Sequence, residues 1–582
     1  MAPKPLQAEA QPLQAEAPPA GGPAPRRAEA QPLRAEAPPL QAEAQPLLAE
    51  AQALPVPTPP QPGSAPPRRA EAQPARDLTA ALFPFVRTAA LLAAGALITI
   101  VATAIVLRFT DLAHLPGGLY PDEAAEGLDA QRILHQPGFH PDWFVWFTDD
   151  GGREALFAYV VAIVFHFFGE TALTLRGAAA GFGVAGVLGV WVLARRWGTW
   201  TGLAGAAWAT GALWLVVISR DGMRNTIVPL FGSLALLALL LWLDRPTRRI
   251  AALAGGAVAL TMLYTYQPLK LLPLVIVLWL WWLRRSDLDT FRRLRDGFKS
   301  FAAAFLVVAA PMIAVALTNP SNYFGRVASV SQFNPAVSSD SNLLVHWLRT
   351  IAAFGFTGDP NARQDVAGIP LVSIPLVLVA VLGLVRLWRG RHDPATSLIL
   401  CSLPVFLLPP LIAVEGGSPH FLRFLGLAAP LGVTIGLGAA ELVEQTQRRL
   451  GVWAARIAVG AVALGLAATA LGSWQVYSSW PVADRYDAYS FALVSLADAA
   501  ARPNTAVIAD DYSRMDVQFL DYALAPALYL PGDPIANPRA FSQIVATSRG
   551  DLVAAVGETA AAGARAVAWD LSGKPVVWVL TP

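Results

Sequence analysis

A chain of 582 residues with 55% hydrophobic and only 14% charged residues lies far from soluble domains, where about 25% of residues are charged. A formal net charge of +2 offers no basic surface for nucleic acid, and a single cysteine, Cys401, excludes an internal disulfide framework. What remains is a polytopic membrane protein, whose sidedness depends on where Lys and Arg fall rather than on their number.

Residues 1–82 repeat variants of Pro-Leu-Gln-Ala-Glu-Ala, at 5–10, 12–17 and 39–44. Proline at this density breaks helix and alanine gives little surface to bury, so the stretch reads as a disordered tail. Its arginines (Arg26, Arg27, Arg68, Arg69, Arg76) place it in the cytoplasm. Residues 83–474 read as the membrane domain. Uncharged or nearly uncharged runs fall at 88–107, 177–194, 197–219, 226–243, 250–269, 271–283, 301–318, 366–385, 396–414, 424–440 and 457–474. About 20 apolar residues span a bilayer, so about eleven crossings are expected. The apolar run 155–168 is too short to span and reads as an interfacial helix.

Basic clusters at 195–196, 245–249, 284–299, 386–391 and 448–449 mark the cytoplasmic side. The count closes only if 250–283 holds two tight crossings and 155–168 does not cross. Loops 111–176, 219–225, 267–270, 319–365 and 415–423 then share the extracytoplasmic face. Residues 475–582 change character. Runs 505–509, 564–569 and 576–580 read as strands, and 513–523 and 551–563 as helices, giving a small extracytoplasmic α/β domain with no readable site.

The polar residues of the shared face carry whatever chemistry there is. Tyr120-Pro121-Asp122-Glu123-Ala124 follows the first span. Proline and acids suit a first helical turn and its dipole. Alternatively, a carboxylate at the mouth of a membrane bundle can take a proton from a hydroxyl, its pKa raised by burial or by the neighbouring acid. On a helix, Arg220 and Arg224 share one face. They either snorkel to the interface or hold a phosphate, which suits a planar guanidinium. Lys270, Arg423 and Arg176 lie on the same side, as phosphate ligands or as partners of Glu123, Glu154 or Asp149. Asp149, Asp150 and Glu154 are either solvated loop acids or contacts for an acceptor or a divalent cation. His420 and Glu415 flank a later loop, and Asn361, Arg363 and Asp365 end the longest one, where they are candidates to line an acceptor groove. No metal-ligand spacing and no glycine-rich phosphate loop appears, so no cofactor is assigned and a divalent cation stays open.

In order and placement these motifs resemble glycosyltransferase family 39 of the GT-C type, which includes protein O-mannosyltransferases and lipid A aminoarabinose transferases. The matching segments are Tyr120-Pro121-Asp122-Glu123-Ala124, Gly152-Arg153-Glu154-Ala155-Leu156-Phe157, Phe168-Gly169-Glu170 through Arg176, Ser219-Arg220-Asp221-Gly222-Met223-Arg224 and Pro419-His420-Phe421-Leu422-Arg423. The likeness covers residues 85–475. The tail departs from the family pattern, and the C-terminal domain does not select a substrate. The resemblance implies a mainly α, GT-C-like membrane fold with catalysis by the first-loop acids, Asp122 as base and Glu123 in support.

The expected activity is inverting transfer of a sugar from a polyprenyl phosphate to an acceptor hydroxyl or amine on a protein, lipid or glycan at the outer face of the plasma membrane. Arg220, Arg224, Lys270 and Arg423 would hold the donor phosphate, with Glu154, Arg176 and His420 in acceptor or supporting roles. A transporter or lipid flippase is the alternative. Against it, the membrane runs show no clear internal repeat and their charges sit at the edges.

Overall fold

Backbone polar groups have no partner in lipid, so apolar runs of this length close their hydrogen bonds within themselves as helices. The computed structural model describes residues 76–148, 152–334, 342–366 and 368–582. The repeat-bearing tail through residue 75, and Asp149 and Asp150, lie outside the described residues. In chain order the helices are α1 (Arg76–Phe109), α2 (Pro121–His135), α3 (Leu156–Phe168), α4 (Ala172–Ala194), α5 (Thr199–Gly211), α6 (Leu213–Ile218), α7 (Val228–Asp244), α8 (Arg248–Tyr264), α9 (Leu272–Ser286), α10 (Leu288–Arg295), α11 (Phe298–Thr318) and α12 (Pro320–Val330). Then come α13 (Leu343–Ala352), α14 (Ile374–Arg389), α15 (Pro394–Ile412), α16 (Ala428–Leu450), α17 (Val452–Ser478), α18 (Phe491–Ala500), α19 (Asp511–Leu520) and α20 (Arg549–Val556), with a few single turns between them.

Among the described residues, 8 helices are long and apolar enough to cross a membrane. The other predicted spans are shorter. Run 197–219 breaks into α5 and α6 at Ala212, whose backbone is extended, while 250–269 and 366–385 become α8 and α14. Each still runs between the same two polar ends of the bundle. At one end Arg196 pairs with Asp244 at 3.0 Å, Trp197 donates to Thr396 at 3.1 Å and Trp282 donates to the Arg391 carbonyl at 3.1 Å. The predicted basic clusters therefore meet, and the loops between them collect at the opposite end. The predicted interfacial helix is α3, 13 residues long, with Phe167 and Phe168 exposed at its tip.

The bundle closes around α16, whose apolar stretch is 94% buried inside the protein. Small residues make that possible by letting backbones touch. A Cβ on Gly383 of α14 would sit 1.8 Å from the Thr434 carbonyl oxygen of α16, and one on Gly438 would sit 1.8 Å from that of Val379.

The C-terminal region forms a five-stranded sheet in the order β4-β3-β5-β7-β6, with β3 (Thr505–Ile508), β4 (Ala527–Tyr529), β5 (Gln543–Ala546), β6 (Arg565–Trp569) and β7 (Pro575–Leu580). The two-residue strands β1 (Trp146–Phe147) and β2 (Arg153–Glu154) form a separate hairpin. β4, β3 and β5 run parallel, and β7 runs antiparallel to β5 and β6. Val507, Val545 and Val577 pack on one face against α18 and α19, while Ile508 and Ile544 pack on the other with Leu552 of α20. The predicted strands and helices are present. β4 and β5, of three and four residues, went unread. The sheet is not set apart from the helices, since residues 75–582 form one compact unit.

Gly383→Val should cost at least about 2 kcal/mol by overpacking the α14–α16 crossing. Gly95→Ala, with nothing within 4 Å of its Cβ, should leave the melting temperature of the detergent-purified chain unchanged or raised. Equal melting temperatures for the two variants would refute the close-crossing account.

Candidate active site

The site is built on α2. Pro121 opens the helix, and the Glu123 carboxylate accepts from the Tyr120 backbone N–H at 3.3 Å, closing its first turn. Glu123, Glu126 and Asp129 recur every third residue, so they line one face. They are 0%, 1% and 1% exposed, a depth that carboxylates tolerate only when paired. Each meets an arginine from a different segment: Glu123 with Arg176 of α4 at 2.7 Å, Glu126 with Arg224 at 2.6 Å, and Asp129 with Arg153 of β2 at 2.7 Å. Glu123 also accepts from the Gly222 backbone N–H at 2.7 Å, and Arg176 donates to the carbonyls of Gly117 and Gly118 at 3.2 and 3.0 Å. The hairpin β1–β2 carries Glu154 beside them, where it pairs with Lys270 at 3.0 Å and Arg224 at 3.4 Å.

Asp122 is offset from this ladder and faces a cavity of about 480 Å³ instead. Its walls include Tyr120, Asp221, Arg224, Lys270, Arg363 and Arg423, together with His420, Glu415 and Asn361. Arg363 lies over the Tyr120 ring, 4.1 Å from its centre, and takes part in no ion pair among the described residues. Lys270 stands over the rings of Trp146 and Tyr323. Arg423 donates to the carbonyls of Ala413 and Glu415. His420 lies 3.4 Å from the Gln364 amide, and Asp359 accepts from the Phe421 backbone N–H at 2.6 Å. Burial raises the Asp359 carboxyl to about 6.

The structure therefore gathers Asp122, Arg224, Lys270, Arg423 and His420 around one cavity, and keeps Glu123, Glu154 and Arg176 as ion-pair partners outside its lining. It does not bring Arg220 there. The chain at 219–223 is a turn rather than a helix, so Arg220 and Arg224 diverge instead of sharing a face. Arg220 is 0% exposed and donates to the carbonyls of Leu107, Thr110 and Leu115 at 2.8 to 2.9 Å. Leu107 lies in the last turn of α1, whose carbonyls have no partner within the helix and need a donor, and Thr110 and Leu115 lie in the turn that follows. This removes Arg220 from the phosphate set. Asp365 is likewise fully buried and does not line the cavity, whereas Asn361 and Arg363 do.

Some site residues were not singled out from the sequence. Glu126 and Asp129 carried a readable signal, the three-residue spacing of acids along one predicted helix. Asp221 lines the cavity at 5% exposure and accepts from the Tyr489 hydroxyl at 2.9 Å. Burial, and then the charge of Glu123, holds its carboxyl well above the usual range. Tyr489 itself comes from the segment after α17, which no local pattern connects to the site. Its carbonyl accepts from the Leu119 N–H at 2.7 Å. Gly118 permits this approach, having a φ of +50°, and a Cβ there would sit 2.0 Å from the Tyr489 oxygen. Among the described residues no group of three His, Cys, Asp or Glu side chains is placed to hold a metal ion.

In architecture the chain is similar to ArnT from Cupriavidus metallidurans in the apo state, at 15% identity and a TM-score of 0.50, over 84% of this chain and 98% of that one. The crystal structure of the same ArnT bound to undecaprenyl phosphate aligns at 16% identity and a TM-score of 0.49, over 83% and 98%. The cryo-EM structure of the arabinofuranosyltransferase AftD from Mycobacteria aligns at 17% identity and 0.42, over 83% of this chain and 39% of that one. No family model and no curated protein sequence matches. The likeness to apo ArnT shows a shared fold, a mainly helical membrane bundle with a small C-terminal sheet, as expected from the sequence.

Glu123→Gln should leave Arg176 buried without a counter-charge and cost about 3–5 kcal/mol. Asp122→Asn should cost less than about 1 kcal/mol, because that side chain faces the cavity. Chemical denaturation of both variants in detergent tests the contrast, and a Glu123→Gln protein as stable as the parent would refute the buried-pair assignment.

Proposed function

We propose that this chain is an integral-membrane glycosyltransferase that moves a sugar from a polyprenyl phosphate to an acceptor hydroxyl or amine. One observation carries the reading. A single cavity joins Asp122, at the start of α2, to the cations Arg224, Lys270, Arg363 and Arg423. The fold shared with ArnT supports the class of reaction. The basic clusters lie at the end of the bundle opposite the cavity, which supports an extracytoplasmic site.

In this reading Asp122 takes the proton of the acceptor as its oxygen or nitrogen attacks the anomeric carbon. The bond from that carbon to the phosphate oxygen breaks on the far side, so configuration inverts and polyprenyl phosphate leaves. Charge grows on the departing phosphate, and fixed cations stabilise it most where water is excluded. Arg224 and Lys270 share their charge with Glu126 and Glu154. Arg363 has no such carboxylate among the described residues, and it stands over Tyr120, two positions before the base. It therefore takes the place in the phosphate set that Arg220 cannot fill.

With purified protein, a radiolabelled polyprenyl-phosphate sugar and envelope acceptor, Asp122→Asn should lower transfer by at least about 100-fold. Arg363→Ala should raise the donor KM by about tenfold or more, the worth of one charge-assisted hydrogen bond. Undiminished transfer by Asp122→Asn would sink the assignment of the base. Donor translocation without transfer would favour a flippase.

A further inference from the structure

The C-terminal α/β unit reaches the site through α19. Phe519 fills a notch on α2 at Gly127, where a Cβ would meet its ring at 2.3 Å. Gln131 of α2 donates to the Phe519 carbonyl at 3.0 Å. One helical turn before Phe519, and so on the same face, stands Asp516. It is 0% exposed, and neither carboxyl oxygen has a hydrogen-bond partner. The groups acting on it are all acids: Glu123 and Asp122 from the start of α2, and Asp510 from the turn leading into α19. Glu123 is already paired with Arg176. Asp498, on the neighbouring α18, acts on Asp521 instead. An ionised carboxylate has no support in such a place, whereas a neutral one is tolerated.

We infer that Asp516 is a positioning residue for the Asp122 end of the site: its neutral carboxyl lets the α/β unit seat on α2, and its ionisation unseats the unit and disables the base. The seating argument stands on the packing alone, and the effect on catalysis rests on the reading of Asp122 given above. Burial, then the charges of Glu123, Asp510 and Asp122, pushes the Asp516 carboxyl up to about 8. The folded chain thus keeps a proton that an unfolded aspartate releases near pH 4. Stability from this group is full in acid, falls as pH rises between those values, and levels off once Asp516 has ionised.

The test follows thermal unfolding and sugar transfer by the full chain in detergent from about pH 5.5 to about 9.5, for wild type, Asp516→Asn and, should the asparagine fail to fold, Asp516→Leu. The variant's melting temperature should pull ahead of wild type as pH rises and stop gaining above about 8. Wild-type transfer should fade above that pH through kcat rather than donor KM, leaving the variant about tenfold more active at about pH 9. Superimposable pH profiles would overturn the inference, as would a folded asparagine variant with no transfer at neutral pH. A melting-temperature difference of the expected form, in a wild-type protein that transfers no sugar, would support the seating role and count against the glycosyltransferase reading.

Discussion

Three carboxylates on one face of α2, each buried and each held by an arginine from elsewhere in the chain, are the constraint on which the site depends. Burying an ion pair gains little over packing apolar groups, but leaving one partner alone is strongly unfavourable. The arrangement is therefore worth more as specification than as stability. α2 can sit in one rotation only, because any other would strand Glu123, Glu126 or Asp129 without its cation. Through these pairs the helix fixes the start of α4, the turn before α7 and the hairpin that carries Glu154.

That rotation also decides which of the two adjacent acids lines the cavity. Glu123 has its oxygens occupied by Arg176, the Gly222 N–H and the Tyr120 N–H. Asp122, the adjacent residue, is turned about 100° around the helix axis and faces the cavity. Two acids that are neighbours in sequence thus end in different environments, one buried as a tie between segments and the other at the lining of the cavity. Asp221, held by Tyr489 in the same cavity, is a carboxyl of a third kind, whose pKa burial and then the charge of Glu123 hold well above the usual carboxylate range.

The bundle and the C-terminal unit meet at this helix. Close α14–α16 contact at Gly383 and Gly438 sets the scaffold, and Phe519 and Tyr489 come in from the far end of the chain to finish the wall. A segment that in sequence has its own strand and helix pattern, and no motif of its own, is thereby part of the surroundings of Asp122.

The sequence by itself determined the membrane class, the interfacial length of α3, the gathering of the basic clusters at one end, and the C-terminal strands at 505, 565 and 576. These follow from hydropathy, chain length and local charge, which act within a few residues of one another. Tertiary structure alone decided that Arg220 serves carbonyl groups at the end of α1 and in the turn after it, that of the loop-end residues Asn361 and Arg363 reach the cavity while Asp365 does not, and that Tyr489 and Asp516 close on α2. An arginine is the same residue whether it holds a phosphate or three backbone oxygens. The difference lies in whether the chain at Ser219–Met223 turns or stays helical, and in which distant segment packs against it.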